Sequence, residues 1–315
     1  YTCEPTYYEA DATKYVDIKV DEDGAGPLVG KTTLRFLTYN LGANPNMTVK
    51  EQMGYTSGGA DDITVFGGLY QWGRKDPEHS LRCSKDDVPG SFRNTQYTSA
   101  ADATAGGQFV YGSSNWLSSA VGELWGNGKA INSGGNDSPV KNTDYDPCPS
   151  GYRVPTQYEW ALLGHKENGP DNPGLNLFTT PNDAAGTIPS SGIVWVRVSG
   201  GKAATSNASW SADGEVRGYA LYDSTVWSNA DPDYKDGTNA LTDPAAPEPL
   251  LFLPAGGRRN YSDGSVDRTG SLGYYWSSVV GFTDSYYMYF FSSGVAAHSP
   301  YERAYGMSVR CISVN

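Results

Sequence analysis

Asp146-Pro147-Cys148-Pro149-Ser150-Gly151-Tyr152-Arg153-Val154-Pro155-Thr156-Gln157-Tyr158-Glu159-Trp160 carries the clearest fold signal in this chain. Thr156 with Glu159 three residues on is a capping box, in which the hydroxyl and the carboxylate each satisfy a backbone N–H that a helix start leaves unpaired. Pro155 precedes the cap, Trp160, Leu162 and Leu163 supply an apolar face, and Gly164 offers a stop, so the pattern predicts a helix over 156–164. A second capping box, Thr48-Val49-Lys50-Glu51, opens a shorter helix stopped by Gly54. Elsewhere the period is two rather than 3.6. Tyr15–Val20, Thr33–Thr38 and Ile193–Val198 read as strands, and the apolar run Leu250–Leu253 reads as a buried strand because Pro254 and Gly256-Gly257 follow at once. Near the C-terminus, Tyr274–Ser278, Ser285–Phe291 and Met307–Ile312 read as three more strands.

Between these elements the sequence is polar and rich in turn residues. The chain has 315 residues, with 38 Gly, 19 Pro, 23 Tyr and 8 Trp, and only 18% are charged. That composition fits short strands and long loops locked by buried aromatics, and excludes a coiled coil, a helical bundle or a collagen. The formal net charge of −12 argues against nucleic acid and anionic membrane as partners. No stretch approaches the roughly 20 apolar residues of a membrane helix. Residues 1–33 are expected to form an N-terminal strand or extension packed on or leading into one domain at 34–315, with insertions at about 73–147 and 199–249. The chain opens Tyr1-Thr2-Cys3, without Met or signal peptide, as a mature or trimmed fragment would.

Four segments recur in a familiar order: Phe66-Gly67-Gly68-Leu69-Tyr70-Gln71-Trp72-Gly73-Arg74; Cys148 to Thr156 with Glu159-Trp160; Leu253-Pro254-Ala255-Gly256-Gly257-Arg258-Arg259 leading to Gly273-Tyr274-Tyr275-Trp276-Ser277-Ser278; and Ala304-Tyr305-Gly306-Met307-Ser308-Val309-Arg310-Cys311. Together they resemble the Fibrobacter succinogenes major paralogous domain family of secreted and surface proteins of Bacteroidetes-type bacteria. The resemblance runs from about Leu34 to Val314. It implies an α+β, C-type-lectin-like fold with long loop insertions and few short helices, distantly similar to formylglycine-generating enzymes. Arg153, Trp160, Trp276 and Arg310 would then be scaffold. The tail is also similar to variable proteins of diversity-generating retroelements in Bacteroides, whose mutated codons yield residues such as those that fill positions 279–305.

Cys3, Cys83, Cys148 and Cys311 form no CxxC and so offer no zinc ribbon or thioredoxin-type site. They allow three pairings, or four buried thiols. An exported protein of this family would pair Cys148 with Cys311, which lie in two segments of one fold, and Cys3 with Cys83.

The chemistry of an enzyme is hard to find. Formylglycine-type oxidation needs a cysteine pair near the C-terminal strands, and Arg258 to Arg310 contains none. His79, His165 and His298 show no HExxH spacing, and no phosphate-binding glycine motif is present. The calcium-dependent sugar motifs of C-type lectins are missing too: Glu248-Pro249-Leu250 lacks the third ligand and Trp227-Ser228-Asn229 is broken. Asp231, Asp233 and Asp236 are the one candidate for a structural calcium, although an acidic turn is the simpler account; no other cofactor is expected.

What remains is recognition. In Ser285–Phe291, Tyr287, Tyr289 and Phe291 share one face, and Tyr286, Met288 and Phe290 the other. With the second face in the core, the first points outward beside a loop at Val295–Glu302. The expected ligand surface is therefore Tyr274, Phe282, Asp284, Tyr287, Tyr289, Phe291, His298, Tyr301, Glu302 and Tyr305. Such a surface suits a non-enzymatic adhesin or pilus-tip-like module at the cell surface, binding a protein or a glycan. The alternatives are a structural pilus or surface-assembly subunit, and an enzyme with an unrecognised loop site.

Overall fold

Thr156 caps its helix as its spacing requires. Its hydroxyl accepts from the Glu159 N–H at 3.2 Å, and the Glu159 carboxylate accepts from the Thr156 N–H at 2.8 Å. The same carboxylate takes a two-pronged hydrogen bond from buried Arg153, at 2.7 and 2.5 Å, so one side chain both starts the helix and ties it to the preceding strand. The Thr48–Glu51 box forms as well, and Gly54 ends that helix.

The computed structural model describes residues 7–20, 33–55, 61–136, 139–163, 177–178, 193–199, 216–223, 225–226, 245–291 and 294–314. Among them the α-helices are α1 (Val49–Met53), α2 (Asp61–Phe66), α3 (Ala100–Gly106) and α4 (Gln157–Leu162). The strands are β1 (Tyr15–Lys19), β2 (Thr33–Leu37), β3 (Tyr70–Gln71), β4 (Phe92–Arg93), β5 (Phe109–Val110), β6 (Tyr152–Arg153), β7 (Leu177–Phe178), β8 (Ile193–Ser199), β9 (Val216–Asp223), β10 (Leu251–Pro254), β11 (Gly256–Arg259), β12 (Val266–Thr269), β13 (Gly273–Val280), β14 (Asp284–Phe291), β15 (Gly294–Glu302), β16 (Gly306–Met307) and β17 (Ile312–Ser313). The architecture is mixed and strand-rich, in the α+β class.

The largest sheet runs β3-β16-β11-β13-β14-β15-β7, with β12 hanging on β11. It separates two cores. Tyr275, Met288 and Phe290 face one, with Trp160 of α4, Tyr219 of β9 and Leu253 of β10. Tyr274, Trp276 and Tyr287 face the other, with Trp72, Trp116 and Trp125 from the loop-rich region. A second sheet, β1-β2-β17-β6, makes the N-terminal strand a neighbour of the C-terminal one, and a third joins β8, β9 and β10.

Buried tryptophans pin the long loops. Trp72 donates its indole N–H to Ser277 O at 2.8 Å, Trp116 to Trp72 O at 2.7 Å, Trp125 to Tyr145 O at 2.9 Å and Trp276 to Tyr70 O at 2.7 Å. Each bond satisfies a buried donor and fixes a carbonyl far away in sequence. Cys148 and Cys311 are joined by a disulfide, 163 residues apart in the chain. Cys3 lies outside the described residues, and with it the expected Cys3–Cys83 bond; Gly164 lies outside them too.

Two expectations need correction. Met307–Ile312 is not one strand. Ser308 exchanges hydrogen bonds with Tyr274 and Trp276, after which Val309 and Cys311 turn their carbonyls to Leu41 and Leu37, so the segment crosses from one sheet to another. Val295–Glu302 is strand rather than loop, because it finds β14 as an antiparallel partner. The expected insertion at 199–249 contains β9, whose middle is paired on both sides by β8 and β10.

Candidate functional site

The aromatic face rests on the β13–β14–β15 meander. Tyr274 lies opposite Tyr289 and Trp276 opposite Tyr287, while Ser285 pairs with Tyr301 and Tyr287 with Ser299. Side chains in register on one face of a sheet touch. Here they make a ladder. Tyr274 and Tyr289 stack at 6.3 Å between ring centroids, Tyr289 and Phe291 at 6.1 Å, and Tyr287 meets Tyr289 and Tyr301 at 5.4 Å each. Tyr301 then packs on Tyr305 at 4.4 Å, and Tyr305 on Tyr261 at 4.8 Å.

The expected face parity matches the contacts for Met288 and Phe290, which lie in the core behind, whereas Tyr286, expected with them, is half-buried and outside that core. The expected exposure does not hold throughout. Tyr274, Tyr287 and Tyr305 are buried, at 5%, 6% and 7% exposure, because neighbouring rings cover them. Tyr289, Phe291 and Tyr301 are half-buried and keep an edge in solvent, as do Asp284 and Glu302. The ligand surface expected from sequence therefore divides into a buried inner row and a reachable outer row. Backbone at His298 belongs to β15, but its side chain lies outside the described residues. Asp231, Asp233 and Asp236 lie outside them as well.

Arg258 was not among the residues expected at this surface, yet it sits in its middle. Its guanidinium lies 4.5 Å from the Tyr305 ring centroid and 5.2 Å from those of Tyr274 and Tyr301. Nη1 donates to the Tyr301 hydroxyl at 2.8 Å and Nε to Asp267 at 3.2 Å. Gly257 makes the placement feasible: its φ of +65° suits glycine, and a Cβ there would come within 2.2 Å of Asp267 O. The signal was present in the sequence, since consecutive residues of a strand point to opposite faces. Arg259 takes the other face, donating to the carbonyls of Gly264, Leu81 and Cys83, and Arg258 is left for the aromatic one. Burial keeps the phenols neutral: it pushes Tyr274 up to about 12 and raises Tyr287 and Tyr305 well above the ordinary tyrosine value.

At the end of the β13–β14 hairpin, Phe282 is 100% exposed. The turn beneath it is held by Gly281 N–H donating to Asp284 O and by Arg303, which donates to Asp284 O and Val121 O while lying over Trp72 at 4.6 Å. Asp284 and Glu302 face each other across β14 and β15 at this end. The surface thus offers phenol hydroxyls and ring edges, one enclosed cation and one free aromatic ring, which is a set for non-covalent recognition.

Other polar clusters look inward. His79 accepts from the Gln71 N–H through Nε2 at 3.0 Å, which leaves its proton on Nδ1, 2.9 Å from Asp76. Arg74 completes that buried group through Asp76. No group of three or more His, Cys, Asp or Glu side chains among the described residues is arranged to hold a metal. No helix among them is long and apolar enough to cross a membrane. Compared with known proteins, the chain matches no family model, no curated protein and no solved structure.

Proposed function

We propose that this chain is a ligand-binding module without catalytic chemistry of its own, displayed outside the cell or on an outer-membrane surface, where it binds a protein or glycan in the manner of an adhesin or pilus-tip domain. A C-type-lectin-like fold of the Fibrobacter succinogenes major paralogous type is the framework that the sequence resemblance suggests. The capped α4 and the Cys148–Cys311 bond, which ties the segment before that helix to the C-terminal segment, support it.

The observation that carries the function is the aromatic ladder on β13–β15. Half-buried Tyr289, Phe291 and Tyr301 belong to one ladder joined through Tyr287, and Phe282 is fully exposed at the turn between β13 and β14. Solvent exposure of such a strip is unfavourable unless something covers it, and tyrosine binds well because a large rigid ring also carries a hydroxyl.

Binding of the labelled chain to intact bacterial and epithelial cells tests the proposal. Tyr289→Ser combined with Tyr301→Ser should weaken binding at least about tenfold, as loss of two central aromatic contacts does, and leave far-ultraviolet circular dichroism unchanged. Saturable binding that the double variant retains in full would rule the face out.

A further inference from the structure

Resting on that proposal, we infer that the ligand of the aromatic face is an uncharged oligosaccharide, whose hydroxyls are met by the phenol hydroxyls of the inner row, Tyr274 and Tyr287.

Burial of that row is burial of its rings. Tyr274 and Tyr287 are 5% and 6% exposed, yet neither hydroxyl has a hydrogen-bond partner in the chain and neither is sealed from solvent. Hydroxyls on enclosed side chains are ordinarily bonded within the protein, so these two stand ready for a group from outside. They also have company. The phenols of Tyr274, Tyr289 and Tyr301 each disfavour ionisation of Tyr287, as neighbouring oxygens do. Inner and outer rows thus bring their hydroxyl ends to one patch.

Among the described residues, that patch holds no open charge. Across β13, β14 and β15, Tyr274 lies opposite Tyr289, Trp276 opposite Tyr287 and Ser285 opposite Tyr301. Arg258 enters from β11, but its Nε is taken by Asp267 and its Nη1 by Tyr301. Asp284 and Glu302 are one position out of step with Ser285 and Tyr301, which puts them on the opposite face of the two strands.

An uncharged sugar suits such a patch group for group. A phenol hydroxyl both donates and accepts, as a sugar hydroxyl does, and the half-buried rings of Tyr289, Phe291 and Tyr301 offer apolar surface to the C–H groups of a sugar ring. A protein surface brings charged side chains, about a quarter of its residues, which would lose water against a face with no free counter-charge. Sialic or uronic acids would meet the same obstacle and, in addition, a chain whose net charge is −12.

A glycan array and a random peptide display library, each offered to the full chain, test this. The array should retain neutral oligosaccharides. Tyr274→Phe and Tyr287→Phe, which remove a hydroxyl and leave the ring, should each weaken that binding roughly two- to tenfold, the effect of one neutral hydrogen bond, without lowering the melting temperature. If either variant melts early, deoxy analogues of the retained sugar carry the test on the unaltered chain, and one of them should show the same loss. Binding to cells should survive sialidase and disappear after periodate oxidation of surface sugars. Retention of acidic glycans alone overturns the inference, as does neutral-glycan binding that both phenylalanine variants and every deoxy analogue keep in full. An array that retains no glycan, or cell binding that survives periodate, overturns it too, and enriched peptides that require Tyr289 and Tyr301 would then leave the binding face standing. Binding indifferent to both of those tyrosines overturns the face itself.

Discussion

Tyr287 and Tyr289 differ by one turn of the pleat's period and share a face, but their environments are not alike. Tyr287 is enclosed by Tyr274, Trp276, Tyr289 and Tyr301, and Tyr289 keeps an edge in water. Truncation should separate them. Tyr287→Ala leaves a cavity in the second core and should cost about 3–5 kcal/mol, in the range of other buried aromatics, whereas Tyr289→Ser should cost about 1 kcal/mol, the centre of the general distribution. Urea denaturation of the two variants checks the difference. A second residue-scale prediction concerns acid. Burial lowers the pKa of His79, and its acceptor bond to Gln71 holds it neutral. The unfolded chain takes up that proton near the ordinary value of about 6.5, the folded chain only at lower pH. Stability from this group is therefore complete above pH ~6.5 and declines as pH falls below it. Melting temperature followed against pH should show that decline, and His79→Gln, which keeps an acceptor and an N–H donor, should flatten it.

At the scale of elements, helix α4 and strand β14 show what can be read locally and what cannot. The Thr156–Glu159 cap involves residues three apart, so its start was legible, as was the inward parity of Met288 and Phe290. Pairing of β15 was not. Pro300 reads as a loop residue because it lacks an N–H, yet proline is tolerated in a strand where that missing donor faces away from the ladder. The described part of β15 has β14 on one side and, on the other, only a short pairing of Val295 and Ala296 with β7. Exposure was illegible for a related reason: the cover over Tyr274 and Tyr305 comes from Arg258 and from rings on other strands, which no single strand's pattern encodes. The helix itself gives a graded prediction. Thr156→Ala removes one capping bond and should cost about 0.5–2 kcal/mol. Glu159→Ala removes the cap partner and strands buried Arg153, 1% exposed, so it should cost about 3–5 kcal/mol. Equal losses in chemical denaturation would mean that the Arg153–Glu159 pair contributes nothing beyond the cap.

Across the whole molecule, distant segments are fastened to one sheet and that sheet presents one aromatic strip. Indole hydrogen bonds and the Cys148–Cys311 bond tie the loop-rich region to the C-terminal strands. The abundance of Trp foretold such fastening, but not which carbonyls would accept, since those lie a hundred or more residues away for Trp72 and Trp276. The same rigidity should make the strip a preorganised surface, one that loses little conformational freedom when a partner docks. Radical footprinting locates that surface most directly. With the chain saturated by the tightest binder recovered from the display library or the glycan array, oxidation of Phe282, Tyr289, Phe291 and Tyr301 should fall several-fold, while Tyr15, 44% exposed on β1, should oxidise as before. Unchanged oxidation of those four side chains, with protection appearing elsewhere, would contradict the assignment of the aromatic face as the binding surface.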